Sequence, residues 1–145
     1  MDSRAIKVVL DTNVFVSALL WDGTTKEIFQ LVKEGKIIAY ASKEILDEFQ
    51  NVLYYPKFAD RLLCVDKTPK TLIDEFLEIV EYCSGEEFPI SVVQGDPSDN
   101  KFLACTVACQ ADFVVSGDKH LLKIKKFQDI PIVPPSLFLK AKFLK

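Results

Sequence analysis

Ile6-Lys7-Val8-Val9-Leu10-Asp11-Thr12-Asn13-Val14 is the stretch that decides the fold. Its first five residues are a short, β-branched apolar run that reads as a buried strand. Asp11-Thr12-Asn13 ends it, and Val14–Trp21 looks helical. Further along, Thr24 or Thr25 caps a helix that runs to Glu34, where Gly35 stops it. Residues 36–41 (KIIAYA) make a second strand, and Ser42 caps a helix to about Tyr54, before Pro56. Residues 56–67 read as an irregular connection. Thr68-Pro69 starts a fourth helix that ends before Gly85. Then come a strand at 90–93, a helix at 97–110 opened by Asp96-Pro97, a strand at 113–116, a short helix at 119–124 and a strand at 130–133. Pro135 starts a last short helix.

Strands therefore alternate with helices, and the strands are continuous apolar runs rather than alternating ones. Both features predict an α/β fold: a three-layer α/β/α sandwich around a mainly parallel sheet of about five strands. At 145 residues the chain reads as one domain, residues 1–145, able to bury a core without disulfides. No apolar run approaches the roughly 18 residues of a membrane span. Met1-Asp2-Ser3-Arg4 leads straight into the first strand, so no secretory signal is expected.

The net charge of −3 weighs against a simple electrostatic nucleic-acid binder. Its distribution is uneven. Residues 71–100 hold eight acids and no Lys or Arg, whereas residues 101–145 hold eight Lys against three Asp. The four cysteines, Cys64, Cys83, Cys105 and Cys109, form no C-x-x-C pair. Cys105 and Cys109 share a helix face and read as small buried hydrophobes. The one histidine, His120, has no zinc-site spacing to any cysteine, which argues against zinc. Reduced thiols point to a cytoplasmic setting.

In parallel α/β sheets, chemistry sits at the carboxyl ends of the strands. Asp11 follows the first strand, Asp96-x-x-Asp99 follows the third, and Asp118 follows the fourth through Ser116-Gly117. Asp11, Asp99 and Asp118 are thus brought to one edge. Like charges there raise one another's pKa values unless a cation intervenes. With oxygen ligands and almost no histidine, that cation is Mg²⁺ or Mn²⁺. In the helix after Ser42, Ile45, Leu46, Phe49, Val52 and Leu53 form an apolar stripe. Glu48 falls on its edge, Glu44 farther off and Asp47 nearly opposite, so Glu48 is the acid able to reach inward. Each acid also has a structural role open to it. Asp11 and Asp96 suit N-caps, Asp99 suits a capping-box position and Asp118 suits a turn.

Val8–Val14, Glu48 within Ile45–Phe49, Asp96-Pro97-Ser98-Asp99-Asn100 and Ala111–Asp118 together resemble PIN-domain nucleases. The similarity is strongest to the toxin components of bacterial and archaeal toxin–antitoxin pairs (the virulence-associated-protein-C type). It spans nearly the whole chain. The resemblance carries the family's four metal-binding acids onto Asp11, Glu48, Asp99 and Asp118, with Asn13 and Ser116 as supporting polar residues and Asp96 as the helix cap. It implies Mg²⁺- or Mn²⁺-dependent hydrolysis of RNA phosphodiesters with one or two ions, leaving a 5′-phosphate and a 3′-hydroxyl. It also implies an antitoxin protein as partner and a homodimer.

The residues suit that chemistry independently, since carboxylate-held cations activate water and polarise phosphoryl groups. Lys101, Lys119 and His120 lie beside the acids and are placed to contact phosphates. Lys123, Lys125 and Lys126 read equally well as exposed surface lysines. Trp21 either stacks on a base or packs. Leu137-Phe138-Leu139 with Phe143-Leu144 either forms a dimer surface or closes the core. A two-histidine ribonuclease mechanism is excluded by the single His120. Two alternatives remain: a non-catalytic RNA- or protein-binding PIN module, and a haloacid-dehalogenase-type phosphatase with Asp11 as nucleophile. The latter expects a second Asp where Asn13 stands.

Overall fold

A computed structural model of the chain describes residues 5–83 and 100–140. The expected strand at 90–93, together with Asp96 and Asp99, lies outside them. Strand β1 (Ile6–Leu10) leads into α1 (Thr12–Leu20) and α2 (Thr24–Lys33). Then follow β2 (Ile37–Ala41), α3 (Lys43–Leu53), a 3₁₀ turn (Pro56–Phe58), α4 (Ala59–Cys64), α5 (Pro69–Ile79) and β3 (Val80–Tyr82). The chain continues through α6 (Asn100–Cys109), β4 (Phe113–Val115), α7 (Lys119–Leu122), β5 (Lys126–Phe127), β6 (Ile130–Val133) and α8 (Pro135–Leu139).

Six strands among the described residues form one sheet in the order β3-β2-β1-β4-β6-β5. All neighbours are parallel except the β5–β6 hairpin. Successive strand residues point to opposite faces. Val8 and Val9 are both fully buried, so both faces of β1 are covered. That is the sandwich expected from continuous apolar strands.

The local stops act as the residue types require. Gly35 takes a left-handed φ of 79° after α2, and the Lys36 N–H closes onto the Leu31 carbonyl at 3.0 Å. Ser42 and Thr68 cap α3 and α5 with their hydroxyls.

Three elements depart from the sequence expectation. The fourth helix does not run to Gly85. It gives way at Val80, and Val80-Glu81-Tyr82 pair with Ala39–Ala41 as an edge strand. The open edge of β2 supplies those hydrogen bonds, which local helix preference cannot outweigh at β-branched Ile79-Val80. Within 56–67, a 3₁₀ turn and α4 replace the irregular connection, anchored by buried Phe58 and Leu62. Lys126–Phe127 adds the short antiparallel strand.

Phe15, Phe49 and Phe76 tie α1, α3 and α5 together. Phe49 and Phe76 stack at 4.4 Å between centroids, and Phe15 meets Phe76 edge-on at 4.5 Å. Trp21 packs edge-on against Phe58, with the Arg61 guanidinium over its ring at 5.3 Å. Arg61 also donates from Nε to the Leu20 carbonyl at 2.7 Å, satisfying the end of α1. Trp21 is therefore a packing residue that keeps one partly exposed face. In α8, Phe138 is buried against Phe113, closing the core, while Leu137 is exposed. Phe143 and Leu144 lie outside the described residues.

Candidate functional site

The register of the sheet builds the site. Leu10 pairs with Val115, so the next residues, Asp11 and Ser116, stand side by side at the carboxyl edge. The Asp11 N–H continues the ladder by donating to the Val115 carbonyl at 3.1 Å. Strand pairing thus joins residues that are 105 positions apart.

Asp11 is 4% exposed. Its Oδ1 accepts from the Val14 N–H at 2.9 Å, capping α1, and its Oδ2 accepts a short hydrogen bond from the Ser116 hydroxyl. The same Ser116 Oγ accepts from the Asp118 N–H at 2.9 Å. Asp118 then caps α7, its Oδ1 accepting from the His120 N–H at 2.9 Å. The expected capping and turn roles of Asp11 and Asp118 are therefore present, and both carboxylates keep further lone pairs. One fully buried hydroxyl thus links the Asp11 carboxylate to the backbone N–H of Asp118.

Burial is the largest influence on Asp11 and pushes its pKa up. Hydrogen bonds from Ser116, Val14 and Gly117 oppose it, while the negative charge of Asp118 adds to the rise. A buried carboxylate beside a second acid is a place where a cation relieves an electrostatic cost. Thr12 Oγ1, next in sequence, is the buried side-chain polar atom without a hydrogen-bond partner among the described residues. The donors here are hard oxygens, which suit Mg²⁺ or Mn²⁺ and not thiophilic ions.

Glu48 is half-buried on the edge of the α3 stripe, as helical phase requires, while Asp47 is exposed and pairs with Lys43. The Lys101 ammonium at the start of α6 sits 2.5 Å from Glu48 Oε1. Lys101 thus bridges α3 and α6. An open cleft of about 370 Å³ adjoins the pair, lined by Glu44, Asp47, Glu48, Asn51, Tyr55 and Lys101. Among the described residues, Asp11, Glu48 and Asp118 do not all converge within 4.8 Å. Asp11 and Asp118 are electrostatically coupled, and Glu48 pairs with Lys101. Asn13 is exposed on the first turn of α1, and Lys119 and His120 are exposed on α7. Asp96 and Asp99 fall outside the described residues. The resemblance marks Ser116 as a supporting residue, while its bridge from Asp11 to the Asp118 backbone depends on the β1–β4 register. The Ser-Gly-Asp run after a strand is the available signal.

A family model described as PIN domain matches residues 7–120. The chain belongs to the PIN domain family. A relative, the uncharacterised protein MJ1680 of Methanocaldococcus jannaschii, is 32% identical over 126 residues, covering 86% of this chain and 79% of the relative. The crystal structure of VapBC2 from Rickettsia felis, bound to a DNA fragment from their promoter, is similar with a TM-score of 0.56. That likeness covers 88% of this chain and 97% of the other at 16% identity, and it speaks to the PIN fold. No helix among the described residues is long and apolar enough to cross a membrane.

Proposed function

We propose that this PIN-domain chain is a divalent-metal-dependent endoribonuclease and the toxin of a toxin–antitoxin pair. The observation that carries this reading is the Asp11–Ser116–Asp118 network at the carboxyl edge of the sheet. It concentrates negative charge in a buried place, where a structural carboxylate is costly and a cation-binding one is useful.

Asp11 and Asp118 hold the cation, Mg²⁺ or Mn²⁺, with Glu48 and Asp99 completing the acidic set, Asp99 on its sequence match alone. When bound, the ion lowers the pKa of water and polarises the phosphoryl group. Ser116 orients Asp11 by donating to its Oδ2 and favours the ionised form against the burial that raises its pKa. Lys119 and His120, exposed beside Asp118, contact the RNA backbone. Lys101 adds positive charge beside Glu48. Asn13 extends the polar rim at the start of α1.

One domain spans residues 1–145, and the protein acts in the cytoplasm, where its free thiols are kept reduced. An antitoxin protein is its partner, a reading supported by the fold shared with VapBC2. A homodimer is the expected assembly, checked by light scattering.

The test is cleavage of structured and single-stranded RNAs with Mn²⁺, Mg²⁺ or EDTA, comparing wild type with Asp99→Asn and Asp118→Asn. Cleavage that needs metal and is abolished by either substitution supports the mechanism. Metal-independent cleavage, or cleavage surviving both substitutions, refutes it. RNA binding without turnover in every metal points to the non-catalytic module.

A further inference from the structure

Three of the four cysteines meet between α6 and the end of β3. One sulfur each from Cys83, Cys105 and Cys109 lies within 4.8 Å of the other two. They arrive from separate elements. Cys83 follows β3, and its N–H donates to the Ala41 carbonyl at 2.9 Å. Cys105 and Cys109 sit one turn apart on α6. Sequence spacing shows no zinc pattern around these cysteines, but the fold brings in Cys83 from 22 residues before Cys105. Cys83 and Cys105 are buried, Cys109 is half-buried, and all are free thiols.

Core filling alone would leave three neutral thiols with weak donors. Cys83 Sγ donates to the Cys105 carbonyl at 3.6 Å, and Cys109 Sγ to the Thr106 carbonyl at 3.9 Å. The trio is, however, electrostatically uneven. Hydrogen bonding from Cys105 holds Cys109 below the usual thiol range, helped by Cys83 and by the Lys7 ammonium. Cys105 is pushed far up by the same bond and by burial. Cys109 is the half-buried member of the trio, while Cys83 and Cys105 are buried.

We propose that Cys83, Cys105 and Cys109 form a second metal site, separate from the carboxylate edge, for a thiophilic divalent cation of the zinc class. Thiolates about 2.3 Å from zinc stand about 3.8 Å apart in a tetrahedron, so the sulfurs need to draw in by about 1 Å at most. Water completes the shell on the side of half-buried Cys109. Binding replaces up to three thiol protons with one ion, leaving a net charge of −1 beside Lys7. Hard ions prefer the carboxylates and soft ions the sulfurs, so the two sites select different metals. The site ties the end of an edge strand to the helix that starts at Asn100. It does not depend on the nuclease reading.

The experiment titrates the reduced, EDTA-treated full chain with Cd²⁺ alone, then with Zn²⁺ in competition. One ion per chain is expected, with a thiolate-to-metal charge-transfer band, proton release and a higher melting temperature. Cys109→Ser, chosen because Cys109 is half-buried, weakens binding by more than the roughly 10–100-fold that an outer partner contributes. Cys64→Ser leaves binding unchanged, and excess Mg²⁺ does not displace the ion. In wild type, bound metal shields Cys109 from alkylation while exposed Cys64 reacts. That readout holds even where a variant folds poorly. Absence of the band, its persistence in Cys109→Ser, its loss in Cys64→Ser, displacement by Mg²⁺, or unshielded Cys109 overturns the proposal.

Discussion

Replacing Ser116 with alanine removes the one hydroxyl that couples Asp11 to Asp118. Ser116 is 0% exposed, so water cannot take its place. Two hydrogen bonds are lost: the one donated to the Asp11 carboxylate and the one accepted from the Asp118 N–H at 2.9 Å. A bond to a charged group contributes about 1.5–3 kcal/mol and a neutral one about 1 kcal/mol. The expected loss at neutral pH without metal is therefore about 2.5–4 kcal/mol. In a chain of this size each kcal/mol moves the melting temperature by about 2–4 °C.

The pH dependence has a fixed sign. Burial raises Asp11 above the ordinary value of 3.8, so the folded state keeps a proton that the unfolded chain releases. Stability therefore falls as pH rises from 3.8 through the folded value. Ser116 is the strongest influence opposing that rise. Without it the folded value climbs further and the fall is deeper. The gap between wild type and variant should widen as pH rises from acid to neutral. Urea denaturation in EDTA across that range measures it. A loss below about 1 kcal/mol, or a gap that narrows with rising pH, refutes the coupled-acid account.

Two further outcomes are expected. Asp118→Asn keeps the α7 cap acceptor but removes a negative charge facing Asp11, so the metal-free protein at neutral pH should gain on the order of 1 kcal/mol. Melting in EDTA checks it, and a lower melting temperature would show that the acids are not electrostatically coupled. Phe76→Ala empties the centre of the Phe15–Phe49–Phe76 cluster and should cost about 3–5 kcal/mol. Chemical denaturation that finds under about 1 kcal/mol would mean that the cluster does not hold α1, α3 and α5 together.

Much of the fold was legible because its signals are local. Continuous apolar strands such as Ile6–Leu10 need cover on both faces, and Gly35 and Ser42 mark helix boundaries by their own backbone and side-chain chemistry. The half-buried place of Glu48 at the edge of the α3 stripe was legible from helical phase. Val80–Tyr82 was not, since a three-residue edge strand takes its shape from the partner it pairs with. The same limit applied to the cysteines. Spacing showed Cys105 and Cys109 on one face but carried no information about Cys83.

The amino-acid pattern by itself determined an alternating α/β chain with acids after its strands, because periodicity and capping act over a few residues. Only the tertiary structure decided which polar groups meet. The β1–β4 register sets Asp11 beside Ser116, and the β2–β3 pairing delivers Cys83 to α6. Those meetings rest on backbone hydrogen bonds and packing between distant segments, whose free energy depends on the whole core and not on any local run of residues.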